Sequence, residues 1–126
     1  MNWQNYPNFS AVEFRCKHTG SLRMDEGFMA RLQALRTDYG KPMTISSGYR
    51  DKTHPIEAAK SEPGAHSTGH ACDVVVSGGD ALKLIALAVK HGFTGIGVKQ
   101  KGSSRFIHLD DLPHDSRRPR PTVWSY

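Results

Sequence analysis

Residues 64–76, with the sequence G-A-H-S-T-G-H-A-C-D-V-V-V, combine two potential metal ligands with the start of an apolar strand. His66 and Asp73 lie seven residues apart, and the valines that follow predict a buried strand. A second histidine, His108, lies in the alternating segment F-I-H-L-D at 106–110. Two imidazoles and one carboxylate form a set that suits zinc and leaves its fourth position open, as in catalytic sites. A fold that uses this set must bring His108 to His66 and Asp73.

The length and composition are those of one small domain. The chain has 126 residues, 37% of them hydrophobic, which predicts a single domain over residues 1–126 with one modest core. No stretch approaches the roughly 20 apolar residues of a membrane-spanning helix, so we expect no membrane span. The first residues lack a basic segment followed by an apolar one, so we also expect no signal peptide. We expect the protein to be a monomer.

The net charge limits the classes of binding partner, and the cysteine count bears on disulfide bonding. A formal net charge of +5 suits an anionic partner, such as nucleic acid or an anionic cell-wall polymer, but also an ordinary solvated surface. The sequence has no basic helical stripe and no aromatic-basic interleaving, so we expect no specific nucleic-acid binding. Cys16 and Cys72 are too few for a disulfide framework, and we expect both to be structural.

Hydrophobic periodicity predicts two helices, at about 25–39 and 81–91. Their apolar faces are expected to bury Phe28, Leu32, Ile85 and Val89. A capping box at Ser10 and Pro55 at a first helical position predict two short helical turns. Strands are predicted at 43–46, at 70–76 with a continuously buried valine run, and in a hairpin formed by 93–98 and 105–110.

This order of elements predicts an α+β fold. We expect a small, mostly antiparallel sheet with helices packed on one side. On such a sheet, Asp73 and His108 can lie on neighbouring strands with their side chains on the same face. His66, in the loop before its strand, can reach both. Gly95 and Gly97, inside a predicted strand, indicate close approach by another group.

Three motifs in order resemble the zinc D-Ala-D-Ala carboxypeptidase family, which includes bacterial and phage peptidoglycan peptidases and shares its fold with the hedgehog signalling domain. The motifs are S-G-Y-R at 47–50, H-x-x-G-x-A-x-D at 66–73 and H-x-D at 108–110. An R-P-x-x-W pattern at 120–124 is also similar to members that cleave peptidoglycan peptides. The resemblance covers roughly residues 14–126.

The resemblance implies that His66, Asp73 and His108 are zinc ligands, and that Arg50 binds a substrate carboxylate or the polarised carbonyl. It implies hydrolysis of a peptide bond in peptidoglycan by metal-activated water. A chain without a secretion signal would then act on the cell wall as a phage lysis or virion-associated protein.

The sequence departs from the family pattern at two positions. Gly64 stands where the family usually has serine, and Arg105 stands where several members carry an acidic general base. The first candidate for the base is Asp110, which alternation places on the same face as His108 whether it is catalytic or supports that ligand. Further options are His54, Glu62 and His114.

Two other functions stay open. One is a zinc-binding module of the same fold without catalysis. This function is favoured by Arg105, which stands where several family members carry an acidic general base. The other is a basic nucleic-acid-binding protein whose histidines are incidental.

Overall fold

The computed structural model describes residues 1–126 and contains one five-stranded sheet. The strands are β1 (Thr44–Ser47), β2 (Ala71–Val75), β3 (Gly95–Lys99), β4 (Phe106–Asp110) and β5 (Thr122–Ser125). Their order across the sheet is β1-β2-β4-β3-β5. Three neighbouring pairs are antiparallel, whereas β3 and β5 are parallel. The predicted α+β class is confirmed, with a sheet that is mixed rather than purely antiparallel.

Four α-helices accompany the sheet, namely α1 (Ala11–Phe14), α2 (Glu26–Tyr39), α3 (Pro55–Ala58) and α4 (Gly78–Lys90). The ends of α2 follow from its sequence, because the Asp25 carboxylate accepts a hydrogen bond from the Phe28 N–H at 2.9 Å. Gly40 ends this helix at a φ of 75°, which glycine adopts without steric cost. The capping box of α1 is also present. None of these helices is a candidate membrane span.

The two faces of the sheet have different surroundings. Because side chains alternate along a strand, β2 and β4 place four residues on the face that packs against the helices, where they join the hydrophobic core: Cys72, Val74, Ile107 and Leu109. Both cysteines are buried and unpaired, which is consistent with the structural role expected for them. Asp73 and His108 lie on the opposite face, which we call the open face.

The prediction that Val89 on helix α4 is buried is wrong. It begins at Gly78, three residues before the predicted start. Ala81, Leu84 and Ala88 are buried, whereas Val89 is 65% exposed. Since each helical residue turns about 100° from the last, Val89 falls beside the buried stripe rather than within it. Phe28 and Leu32 on α2 are fully buried, as predicted, and Ile85 is partly buried.

The prediction of a continuously buried valine run in strand β2 is also wrong, because Val75 is 49% exposed. Val75 alternates with Val74 and therefore lies on the open face with Asp73.

Strand β5 was not predicted. It extends the sheet beyond β3 in parallel, with Gly97 opposite Trp124 and Val98 opposite Ser125. The strand is only four residues long, and its partner lies more than twenty residues earlier, so no local pattern specifies the pairing. It brings the C-terminal aromatic residues to the open face.

Candidate metal centre

The pairing of β2 with β4 places Asp73 directly opposite His108. The two strands run antiparallel, so residues in register have neighbouring side chains on the same face. Asp73 Oδ1 lies 3.1 Å from His108 Nδ1. Both residues are almost completely buried, although they lie away from the hydrophobic core. The predicted placement on neighbouring strands is therefore confirmed.

His66 reaches this pair from a short 3₁₀-helix, Ala65–Thr68, that precedes β2. Gly69 ends the segment at a φ of 78°, and a Cβ there would collide with the carbonyl oxygen of Arg23. Glycine is therefore required both for the backbone conformation and for the close approach. The Gly69 carbonyl accepts a hydrogen bond from the Asp25 N–H at 2.9 Å, which ties the segment to the start of α2.

The three side chains converge on one point. His66 Nε2 lies 3.2 Å from Asp73 Oδ1 and 3.3 Å from His108 Nδ1. One ligand atom from each residue lies within 4.8 Å of the other two. This is the candidate ligand set expected from the sequence.

The outer hydrogen bonds of both histidines define which ring nitrogens face the centre without a proton. His66 Nδ1 lies 2.8 Å from the Gly48 carbonyl, which only accepts, so Nδ1–H donates and Nε2 keeps a lone pair. His108 Nε2 lies 2.7 Å from the Asp110 carboxylate, so Nε2–H donates and Nδ1 keeps a lone pair. In the neutral tautomers that these hydrogen bonds select, the two imidazoles and the Asp73 carboxylate direct lone pairs at one another, an arrangement that a cation stabilises. The donor set fits a metal ion.

Asp110 lies behind His108 and not in the open centre. Its carboxylate is fully buried and accepts from His108 and from the guanidinium of Arg120, whose Nε and Nη2 lie 2.8 Å and 2.7 Å from its two oxygens. Burial alone would raise the pKa of Asp110, but these hydrogen bonds lower it to about 2. A Cβ at Gly95 would collide with this carboxylate, so glycine is needed at that strand position.

The charge at the centre suits a cation. Burial opposes ionisation of Asp73, but its contacts with His108 and His66 hold the pKa of this carboxyl far below its usual range. The His108 pKa is raised, because Asp110 and Asp73 outweigh the effect of burial. Both directions reflect carboxylates that are ionised in the fold.

Arg50 borders the centre from the β1 side. Its Nη2 lies 3.8 Å from Asp73 Oδ2, and its Nη1 lies 3.2 Å from Glu57 Oε2. Glu57 is buried and also accepts from Lys60 Nζ at 3.1 Å and from the Gly64 N–H at 2.6 Å. Arg50 therefore connects the loop that contains α3 to a candidate ligand. No sequence motif identified Glu57. In the sequence it is like any glutamate on a helix surface, and its burial results from tertiary contacts.

A cleft of about 410 Å³ opens beside the ligand set, and we refer to it as the cleft. One part of its wall is cationic, from Arg50 and Lys60. The other part is apolar and includes Ile56, Phe106, Trp124 and Tyr126. The Trp124 ring packs against His108 with centroids 5.0 Å apart, and a Cβ at Gly97 would lie 2.7 Å from the indole nitrogen. The R-P-x-x-W pattern was the only sequence signal for Trp124.

The remaining candidates for the base do not line the cleft. His54 caps α3 by accepting from the Ile56 N–H at 3.1 Å. Glu62 forms an exposed ion pair with Arg117, and His114 Nδ1 accepts from the Arg120 N–H at 3.1 Å.

Comparison with known proteins agrees with this geometry. A search of curated proteins finds no match. A family model described as Peptidase M15 matches residues 7–110, a range that contains the three candidate ligands and S-G-Y-R. The match covers most of the chain and ends at the last residue of β4, so Arg120 and β5 lie outside it. The chain belongs to the peptidase M15 family, the family of zinc D-Ala-D-Ala carboxypeptidases.

Proposed function

We propose that the protein is a zinc-dependent metallopeptidase that hydrolyses a peptide bond in bacterial peptidoglycan, as a carboxypeptidase or an endopeptidase. The proposal is carried by the convergence of three lone pairs from His66, Asp73 and His108 beside an open cleft. Three protein ligands and an accessible side are characteristic of catalytic rather than structural zinc sites.

Each residue around the centre has a separate role in this proposal. His66, Asp73 and His108 would hold the ion, which when bound polarises the scissile carbonyl and lowers the pKa of a water molecule towards about 7. Asp110 acts as a positioning residue that orients His108, since its carboxylate is fully buried and already accepts from two side chains. Arg50 faces the cleft and neutralises charge near the scissile bond.

A cell-wall substrate is supported by three features. Members of the family cleave peptides, the chain has a formal net charge of +5, and the cleft wall combines cationic with apolar side chains. A basic protein is attracted to an anionic wall polymer. We propose that the protein acts on the cell wall as a phage lysis or virion-associated protein. We also propose that it is a monomer and that residues 1–126 form one domain.

A zinc-binding module without catalysis is the second candidate. Arg105 is exposed, and its Nε donates to the Gly102 carbonyl at 2.9 Å. The position where several family members have an acidic base therefore supplies no acid to the cleft.

Elemental analysis and an activity assay on one preparation distinguish these functions. We expect one zinc per chain, and we expect mass spectrometry of fragments released from purified peptidoglycan to identify the cleaved bond. His66→Ala and His108→Ala should lose both zinc and turnover, whereas His91→Ala, which removes a surface contact with Asp38, should keep both. Stoichiometric zinc without turnover would favour the non-catalytic module. Retention of zinc by either ligand variant would contradict the assigned centre.

A further inference from the structure

We propose that the Tyr126 hydroxyl takes part in catalysis by donating a hydrogen bond to the oxyanion that develops on the carbonyl of the cleaved peptide bond. The inference rests on the proposed peptidase function. Tyr126 lies outside the residues matched by the family model, and no motif identifies it.

The sheet directs the Tyr126 side chain into the cleft. Its N–H donates to the Val98 carbonyl at 3.3 Å, which continues the pairing of β5 with β3. Trp124, two residues earlier, packs on His108, and alternation places Tyr126 on the same face. The ring also packs on Phe106, with centroids 5.1 Å apart. Although 62% of the residue is exposed, two contacts therefore restrict the position of the phenol.

Tyr126 adds a neutral hydroxyl donor to the cleft. Arg50 and Lys60 both pair with the buried Glu57 carboxylate, so their donors are partly engaged. The neighbour of the Tyr126 hydroxyl is Trp124, and an indole N–H only donates. The phenol proton is therefore free for a substrate. Arg50 follows β1 and Tyr126 follows β5, so the two residues lie on opposite sides of the ligand set.

The protonation state of the phenol suits a donor. Burial raises the pKa of Tyr126. A tyrosine that already titrates near 10 thus keeps its proton at neutral pH. It does not act as the general base.

Peptide-bond hydrolysis needs no proton transfer from Tyr126. A water oxygen forms a bond to the carbonyl carbon, and the π electron pair moves to the carbonyl oxygen, which accepts the hydrogen bond from Tyr126. The C–N bond then breaks, the carbonyl is restored, and the proton released by the water ends on the leaving amine. A donor aimed at such an oxyanion is typically worth about 10²–10³ in rate.

The test is Tyr126→Phe, which keeps the ring and removes only the hydroxyl. On the muropeptide identified by fragment analysis, we expect kcat to fall by about 10²–10³ with KM, zinc content and melting temperature unchanged. Tyr39→Phe is the matched control, because Tyr39 is buried on α2 and does not line the cleft. Its kinetics should equal those of the wild type.

A second readout does not depend on turnover. A phosphinate isostere of the cleaved bond presents tetrahedral oxygens, so its affinity for Tyr126→Phe should fall in proportion to kcat, while the affinity for the substrate stays constant. A kcat within about twofold of the wild type, or a change in KM alone, would overturn the inference and leave the peptidase function intact. A wild-type protein without turnover would contradict the proposed function itself, and the inference with it.

Discussion

The guanidinium of Arg120 binds both carboxylate oxygens of Asp110, and Asp110 in turn accepts a hydrogen bond from His108. The same guanidinium lies 5.2 Å from the centre of the Trp124 ring. This series of contacts connects a candidate metal ligand to the segment that forms β5. The orientation of His108 therefore depends on residues that follow the H-x-D motif by ten or more positions in the chain.

Asp110→Asn should weaken metal binding without removing a ligand. An amide supplies one acceptor oxygen and no charge, so His108 loses its anionic partner and the buried Arg120 loses its counter-ion. Loss of such a partner typically costs about 10–100-fold in metal affinity. An uncompensated buried charge also costs about 3–5 kcal/mol in unfolding free energy. Competition titration with a zinc chelator and urea denaturation measure the two effects.

The control for this variant is Asp115→Asn, because Asp115 is an exposed turn residue that contacts only the backbone nearby. It should bind zinc like the wild type. Wild-type affinity in Asp110→Asn would show that Asp110 does not position His108.

Arg50→Lys tests whether the guanidinium acts on the substrate. Lysine keeps the charge but lacks the planar fork, so it cannot contact Glu57 and face the cleft at once. If Arg50 stabilises developing charge, the variant folds and retains zinc, and its rate falls by about 10²–10³. Turnover, zinc content and a melting curve should be measured on one preparation.

The contact with Glu57 supplies the competing outcome for Arg50→Lys. If Arg50 only anchors the loop that contains α3, stability or zinc should decline together with activity. Near-wild-type turnover would exclude both roles.

Glu57 should make stability depend on pH. Burial would raise its pKa, but hydrogen bonds from the Gly64 N–H and Lys60 lower it below the usual value. A lowered folded-state pKa stabilises the protein above the unfolded-state pKa of about 4.3, and the contribution is lost as pH falls through the folded value. The difference in melting temperature between wild type and Glu57→Gln should therefore shrink as pH falls from about 6 to below 4. A constant difference across this range would contradict the assignment, and the exposed Glu62→Gln variant serves as control.

Two apolar truncations should have very different effects. Leu32 is fully buried on α2, so Leu32→Ala should cost about 2–5 kcal/mol in unfolding free energy. Val89 is largely exposed on α4, and Val89→Ala should change the free energy by less than about 0.5 kcal/mol. Chemical denaturation of both variants checks the packing of the helices. Equal losses would show that α4 is misplaced.

The sequence by itself determined the local elements and the candidate ligands. Capping residues and Gly40 specify the ends of α2, and periodicity specifies the hairpin of β3 and β4. The face shared by Asp73 and His108 follows from alternation along two strands, which is a property of the backbone and independent of the rest of the fold. These features depend on interactions within a few residues, or on ligand chemistry, and a sequence expresses both directly.

Only the tertiary structure decided what surrounds the ligands. The parallel pairing of β5 with β3, the ion pair of Arg120 with Asp110 and the burial of Glu57 beneath Arg50 all join residues that are distant in sequence or ordinary in type. The exposure of Val89 likewise depends on which stripe of α4 meets the sheet. Such contacts depend on how whole elements pack against one another, so a local sequence pattern does not predict them.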